Sequence, residues 1–119
     1  MSGKFIKPVV IVLIVISGGA IADTQKEIEH LLSFVTNTSC KYERNGTLYD
    51  GGEAKNHIKN KYDYFTDKIN SAEDFIKYSA TKSTMSGKKY KIHCSNLPVQ
   101  NSSDWLLVEL TKFRASQPG

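Results

Sequence analysis

The residues of this chain with the most potential for chemistry lie around two short glycine-containing segments. Arg44 precedes an Asn45-Gly46 pair, and Ser86 precedes Gly87. An arginine guanidinium presents a planar fork of donors to a carboxylate or phosphate, and exposed backbone N–H groups around the glycines can add anion-binding donors. The pattern predicts a polar binding surface formed by Arg44, Asn45, Tyr49, Ser83, Ser86 and Tyr90. The alternative is ordinary turn chemistry, in which the backbone requires the glycines and Arg44 pairs with a helix acid.

A histidine supplies the second candidate. His57 lies four residues after Glu53 and directly before the apolar Ile58, so it flanks the buried side of a predicted helix. A histidine beside a glutamate can act as an acid–base pair, which makes a small envelope enzyme one alternative function. A structural or solvated histidine is the other interpretation. We include His57 among the candidate binding residues and predict no catalytic residue.

The residue pattern disfavours other catalytic and metal chemistry. The hydroxyls between Thr81 and Ser86 lack the G-x-S-x-G motif of a nucleophile elbow. The two cysteines have no C-x-x-C spacing, and the three histidines fall on separate predicted elements, so their spacing does not match a metal site. We therefore predict neither a metal nor a cofactor.

Aromatic residues are abundant, with six tyrosines and one tryptophan. Exposed tyrosines beside an arginine suit the recognition of a glycan or a peptide. In a small domain tyrosines also complete the core while their hydroxyls reach the surface, and we favour this interpretation.

The first 22 residues indicate the compartment in which the binding surface acts. Two lysines precede an apolar run from Val9 to Ile16, and Ala20-Ile21-Ala22 follows. A basic segment, an apolar segment and an A-x-A site are typical of a secretory signal peptide. The alternative, an uncleaved anchor, is disfavoured because the apolar stretch is shorter than the roughly 20 residues that a spanning helix needs. We predict cleavage after Ala22 and a periplasmic or secreted domain over residues 23–119.

Export places both cysteines in an oxidising space. Cys40 and Cys94 are the only cysteines of the chain, so one disulfide is the sole intramolecular pairing. The alternative is two buried free thiols. A loop of this length corresponds to roughly 4 kcal/mol of stabilisation in the chain-entropy model.

Four helices are predicted by a capping residue followed by apolar residues at helical spacing. The predicted caps are Asp23 or Thr24, Asp50, Ser71 and Ser103. The predicted apolar faces are, in the same order, Ile28, Leu31, Leu32 and Val35; Ala54, Ile58, Tyr62 or Lys61, Phe65 and Ile69; Phe75, Ile76, Ser79 and Ala80; and Leu106, Leu107, Leu110 and Phe113. A loose tail is expected from Ala115 to Gly119.

Two segments predict a small antiparallel sheet. The Asn45-Gly46 pair favours a type I′ turn and hence a hairpin from Lys41 to Tyr49. Tyr90 to Cys94 alternates as a half-buried strand does, whereas residues 95–102 read as a linker. The expected fold is α+β, with about four helices packed on an antiparallel β-sheet made of the hairpin plus one strand, and one disulfide.

The order of the motifs also resembles a known family. Cys40 opens the string Cys-x-x-x-Arg-Asn-Gly-x-x-Tyr, and Glu53-Ala54, His57, Ala-Glu-Asp-Phe-Ile, Ser-Gly with Tyr90, and a closing Trp-Leu-Leu follow. From about Ile28 to Arg114 the chain is similar to the YfeK-like family of small exported proteins of Gram-negative bacteria, whose domain has no known function. The resemblance implies a bacterial periplasmic protein and implies no reaction.

These observations together predict a non-enzymatic binding or interaction module. The expected partner is an envelope protein, a peptide or a glycan. Removal of the two signal lysines lowers the formal net charge of +4 to about +2, which is too weak to favour nucleic acid. No membrane span is expected after signal cleavage. A further alternative function is a small enzyme inhibitor that inserts the Asn45-Gly46 hairpin tip into a cleft.

Overall fold

The computed structural model of this chain describes residues 16–118, with side chains from Asp23 to Pro118. Its elements are α1 (Ile16–Thr36), β1 (Lys41–Arg44), β2 (Thr47–Tyr49), α2 (Gly51–Tyr64), α3 (Ala72–Ser79), β3 (Lys91–His93), β4 (Gln100–Asn101) and α4 (Ser102–Ser116), with a 3-10 turn at Thr66–Lys68. The α+β fold class predicted from the sequence is confirmed. Residues 1–15, which include most of the predicted signal peptide, lie outside the described residues, so its cleavage stays a prediction.

The strands form one antiparallel sheet in the order β2-β1-β3-β4. Tyr42 of β1 lies opposite Tyr49 of β2 and Ile92 of β3. The disulfide between Cys40 and Cys94 joins the end of the β1–β3 pair, as predicted. The predicted hairpin and third strand are confirmed, and β4 adds a fourth strand within the segment predicted as a linker. β4 has only two residues, too few to show the alternation of buried and exposed side chains that indicates a strand.

One core lies between the helices and the sheet. Its buried hydrophobic members are Ile28, Leu31, Leu32, Val35, Tyr42, Ala54, Ile58, Ala72, Phe75, Ile76, Ala80, Tyr90, Ile92, Leu106 and Leu110. Tyr42 shares a 2.7 Å hydrogen bond between its hydroxyl and that of Ser102. Burial raises the pKa of Tyr42 above its ordinary value, so the phenol stays protonated and packs as a neutral group.

Two predicted helix caps are confirmed. Asp50 Oδ1 accepts a 2.9 Å hydrogen bond from the backbone N–H of Glu53 at the start of α2. Ser71 Oγ accepts a 3.0 Å bond from the N–H of Asp74 at the start of α3. Each cap satisfies a backbone donor that the first helical turn leaves without a partner.

The first and last helices begin earlier than predicted. α1 runs continuously from Ile16, so Asp23 and Thr24 lie inside the helix and neither is its cap. Asn101, rather than Ser103, is the N-cap of α4. None of the described helices is long and apolar enough to cross a membrane.

α2 ends at Tyr64 and does not continue to Ile69 as predicted. The hydroxyl of Thr66 donates to the backbone carbonyls of Tyr62 at 2.8 Å and Asp63 at 3.1 Å. These bonds compete with continuation of the helix, and the chain tightens into the 3-10 turn.

One side chain of α4 is more exposed than the sequence pattern predicts. Leu107, predicted on the buried stripe, is 40% exposed. Arg114, in the last turn of the same helix, binds two glutamates on other helices: Glu27 of α1 at 2.8 and 2.9 Å, and Glu73 of α3 at 2.7 and 3.0 Å. The hydrogen bonds from Arg114 hold the pKa of the Glu73 carboxyl below its usual value. This double ion pair joins the middle of α1 to the start of α3 and the last turns of α4.

Candidate functional site

Three elements enclose a pocket of about 270 Å³: the tip of the β1–β2 hairpin, the second half of α2, and the loop before Tyr90. Its lining residues are Arg44, Asn45, Lys61, Ser83, Thr84, Met85 and Tyr90. Four of them, Arg44, Asn45, Ser83 and Tyr90, were predicted as binding residues from the sequence. We call this feature the hairpin pocket.

The hairpin tip is tied to the loop across the pocket. Asn45 and Gly46 adopt φ angles of 50° and 81°, as the two central residues of a type I′ turn require. The Oδ1 atom of Asn45 accepts a 2.6 Å bond from Ser86 Oγ, and its Nδ2 donates to Ser83 Oγ at 3.4 Å. The predicted neighbours Asn45, Ser83 and Ser86 therefore come together, and the tip carries side-chain contacts rather than projecting free of the domain.

Ser83 organises the loop. The side chain is only 5% exposed, and its Oγ also accepts a 3.2 Å bond from the N–H of Ser86. The backbone of Ser83 bonds to Lys88 and Gly87, at 2.9 Å in each case. The loop is thus a hydrogen-bonded turn that holds one side of the pocket in place.

Arg44 has few partners within the protein. The guanidinium carbon lies 5.7 Å from the ring centroids of both Tyr49 and Tyr90, within the range of a cation–π contact. Its Nε atom is buried and has no hydrogen-bond partner. Its Nη1 atom makes a long, 3.4 Å bond to His57. The helix acid that ordinary turn chemistry would supply for Arg44 is not among its contacts in the described structure.

His57 contacts the edge of this arrangement. The ring packs edge-to-face on Tyr49, with centroids 4.8 Å apart. Arginine can only donate, so Nε2 of His57 accepts the bond from Arg44, and the neutral ring carries its hydrogen on Nδ1. Burial, and then the Arg44 charge, lower the pKa of His57, while Glu53 opposes them. The described contacts include no hydrogen bond between His57 and Glu53, the two residues of the enzyme alternative.

Lys61 is a pocket residue that sequence reasoning did not select. Its ammonium donates to the carbonyl of Lys82 at 2.7 Å and to the hydroxyl of Tyr90 at 3.3 Å. It also lies 5.1 Å from the Tyr90 ring centroid. The sequence feature that could have identified Lys61 is its spacing of four residues from His57, which places both residues on one face of α2. Thr84 and Met85 were also missed as pocket residues, and Met85 is 98% exposed.

Tyr90 lies close to both cationic side chains of the pocket, Arg44 and Lys61. It is 2% exposed, and its ring lies 5.7 Å from that of Tyr42 in the core. Its hydroxyl nevertheless reaches Lys61. Tyr90 is therefore a core residue with a polar end at the pocket, in agreement with the favoured reading of the tyrosines.

The described residues contain no cluster of three or more histidine, cysteine or acidic side chains that could hold a metal ion. The pocket chemistry consists instead of two cationic groups, several hydroxyls and an amide. Such a set can bind and orient an anionic or hydrogen-bonding group.

A comparison with family models matched residues 22–114 to DUF5329, a family of unknown function. The chain belongs to the DUF5329 family. No match was found among curated proteins or among solved structures. The matched range of this DUF5329 protein contains every residue of the hairpin pocket and both cysteines. The YfeK-like relationship and the Gram-negative origin stay predictions from the sequence.

Proposed function

We propose that this DUF5329 protein is a non-enzymatic binding module that acts in the periplasm and docks a protein partner at the hairpin pocket. The proposal rests on the contacts of Arg44 and on its unpaired donor. A half-buried guanidinium lies over two tyrosine rings, keeps one long hydrogen bond, and has a buried Nε without an acceptor. A guanidinium has five N–H donors, and a partner that supplies acceptors can pair the outer donors that the contacts of Arg44 within the protein leave free.

A protein partner is favoured over a small molecule by the rim of the pocket. Met85 is an apolar side chain with almost its whole surface in water, directly beside the polar floor. Methionine is flexible and polarizable, and it adapts to irregular partner surfaces. The pocket volume of about 270 Å³ lies at the small end of ligand cavities, so it suits one side chain of a larger partner.

A periplasmic location is supported by the disulfide and by the chain's N-terminal pattern. The Cys40–Cys94 bond suits an oxidising compartment. The family match begins at residue 22, at the predicted cleavage site.

The proposal is tested with a photo-crosslinking amino acid at Met85, introduced into the full chain in an expressing bacterium of the source species. The matched control carries the same amino acid at Val108 of α4, which is 53% exposed and does not line the pocket. We expect one adduct of defined mass from position 85 and none of that mass from position 108. Absence of an adduct at position 85, or the same adduct at both positions, contradicts docking at the hairpin pocket.

A further inference from the structure

We infer that the partner group received by the hairpin pocket is a carboxylate, carried by an acidic side chain and bound jointly by Arg44 and Lys61. This inference rests on the proposed function and specifies its ligand class.

Arg44 and Lys61 form an uncompensated pair of positive charges. Both lie within 6 Å of the same ring, that of Tyr90, at 5.7 and 5.1 Å from its centroid. Neither appears in an ion pair of the described residues, whereas Arg114 binds two glutamates and Lys59 binds Asp63 at 2.8 Å. Two neighbouring cations repel each other more strongly in a partly desolvated pocket than in water. One anion placed between them converts that repulsion into attraction.

The neutral groups of the pocket also present donors. Ser83 Oγ accepts bonds from Asn45 and Ser86, which leaves its own hydrogen to donate. The Tyr90 hydroxyl accepts from Lys61 and keeps its hydrogen in the same way. A hydroxyl has one donor and two acceptor positions, so each of these hydroxyls still has a hydrogen to donate. Two cations and two hydroxyl donors match the acceptor-only oxygens of a carboxylate.

The volume of the hairpin pocket and the Met85 side chain at its rim favour a carboxylate on a side chain. The space is about 270 Å³, so it takes up a terminal group and a short stem rather than a whole ligand. Met85 at the rim offers apolar contact to the methylene groups behind an acidic head. A phosphate group has the same charge sign, and the experiment separates it from a carboxylate.

The test is a nuclear magnetic resonance titration of the purified, exported protein at constant ionic strength. The probes are acetyl-Gly-Glu-Gly-amide, the matched neutral acetyl-Gly-Gln-Gly-amide, and inorganic phosphate. We expect saturable shifts of the Asn45 and Thr84 amide signals with the glutamate peptide only. Saturation by phosphate without the glutamate peptide, equal shifts with both peptides, or no saturable shift at all overturns the carboxylate assignment.

Matched variants locate the binding groups. We expect Lys61→Gln and Arg44→Gln each to weaken binding of the glutamate peptide about tenfold or more, because each removes a charge-assisted contact. Lys61→Arg retains binding since it keeps the charge. Lys59→Gln, two residues away on α2 and paired with Asp63, leaves binding unchanged. Equal binding by wild type and Lys61→Gln, with native spectra for both, overturns the joint role of the two cations.

A negative result in the titration and a negative result in the crosslinking experiment have different meanings. A Met85 adduct without peptide binding keeps the docking surface and rejects the carboxylate. Glutamate-peptide binding without an adduct keeps the anion site and rejects the protein partner.

Discussion

At Arg44 the protein keeps a charged side chain whose donors its own residues leave largely unsatisfied. The contrast with Arg114 is direct, because Arg114 donates four hydrogen bonds to Glu27 and Glu73. Arg114 is used for the fold, whereas we propose that Arg44 binds a partner. Residues kept for binding commonly lower stability relative to what the fold alone would favour.

The first prediction compares these two arginines. Arg44→Met should change the free energy of unfolding by less than about 1 kcal/mol, since the lost cation–π contacts are offset by removal of an unsatisfied buried donor. Arg114→Met should lower it by about 1–2 kcal/mol, because it breaks a networked double ion pair. Urea unfolding monitored by Trp105 fluorescence measures both. A loss in Arg44→Met as large as that in Arg114→Met would contradict the assignment.

His57 supplies a prediction about pH. Its folded-state pKa lies below the ordinary value of 6.5, so the unfolded chain takes up a proton first as the pH falls. Stability therefore decreases with falling pH, beginning near the unfolded pKa and levelling off below the folded one. In urea unfolding between pH 7.5 and 4.5, wild type should lose stability relative to His57→Gln within that window. Parallel profiles for the two proteins would show that the histidine environment does not favour the neutral ring.

At the scale of elements, the pocket depends on how α2 is placed beside the hairpin. Gly51, the first residue of α2, packs directly on the end of α1. A Cβ atom at this position would lie 2.4 Å from the carbonyl oxygen of Val35 and 2.7 Å from that of Thr36. Since these are backbone atoms, one helix must move to admit a methyl group.

This contact gives a matched pair of glycine substitutions. Gly51→Ala should lower the free energy of unfolding by about 1–3 kcal/mol through overpacking. Gly52→Ala, whose Cβ would meet only Asp50 Oδ1 at 3.6 Å, should be neutral or raise it by up to about 1 kcal/mol through helix propensity. Thermal unfolding of both variants decides the point. Equal stabilities would mean that α1 yields to the added methyl group.

Local signals in the sequence predict many of the helix starts and turns. Asp50, Ser71 and the Asn45-Gly46 pair each specify a cap or turn through nearby hydrogen bonds or φ angles, and the structure confirms them. Features that depend on distant partners were not predictable in this way. β4 exists because β3 offers it a pairing edge, and Lys61 becomes a pocket residue only when the loop before Tyr90 folds against α2.

At the scale of the whole molecule, the disulfide links the chain at the end of the β1–β3 pair. It also restricts the conformations open to the unfolded chain. Cys40 and Cys94 are 54 residues apart, which corresponds to about 4 kcal/mol in the loop-entropy model. A small domain has a net stability of only about 5–15 kcal/mol. The bond therefore contributes a large share of the stability of a domain with one small core.

Removal of the disulfide is the corresponding prediction. Cys40→Ser combined with Cys94→Ser should lower the free energy of unfolding by about 2–4 kcal/mol, and a reducing agent should have the same effect on wild type. Urea midpoints with and without the reducing agent provide the measurement. An unchanged midpoint on verified reduction would show that packing alone specifies this fold.

Partner docking at the hairpin pocket is tested by the Met85 crosslink, measured in variants of Arg44 and Lys61. We expect the position-85 adduct to form in wild type and in Lys59→Gln, and to be lost in Arg44→Gln and in Lys61→Gln at equal protein levels. An adduct of equal yield in all four proteins would contradict docking at the hairpin pocket, because the partner would then bind independently of its two cations.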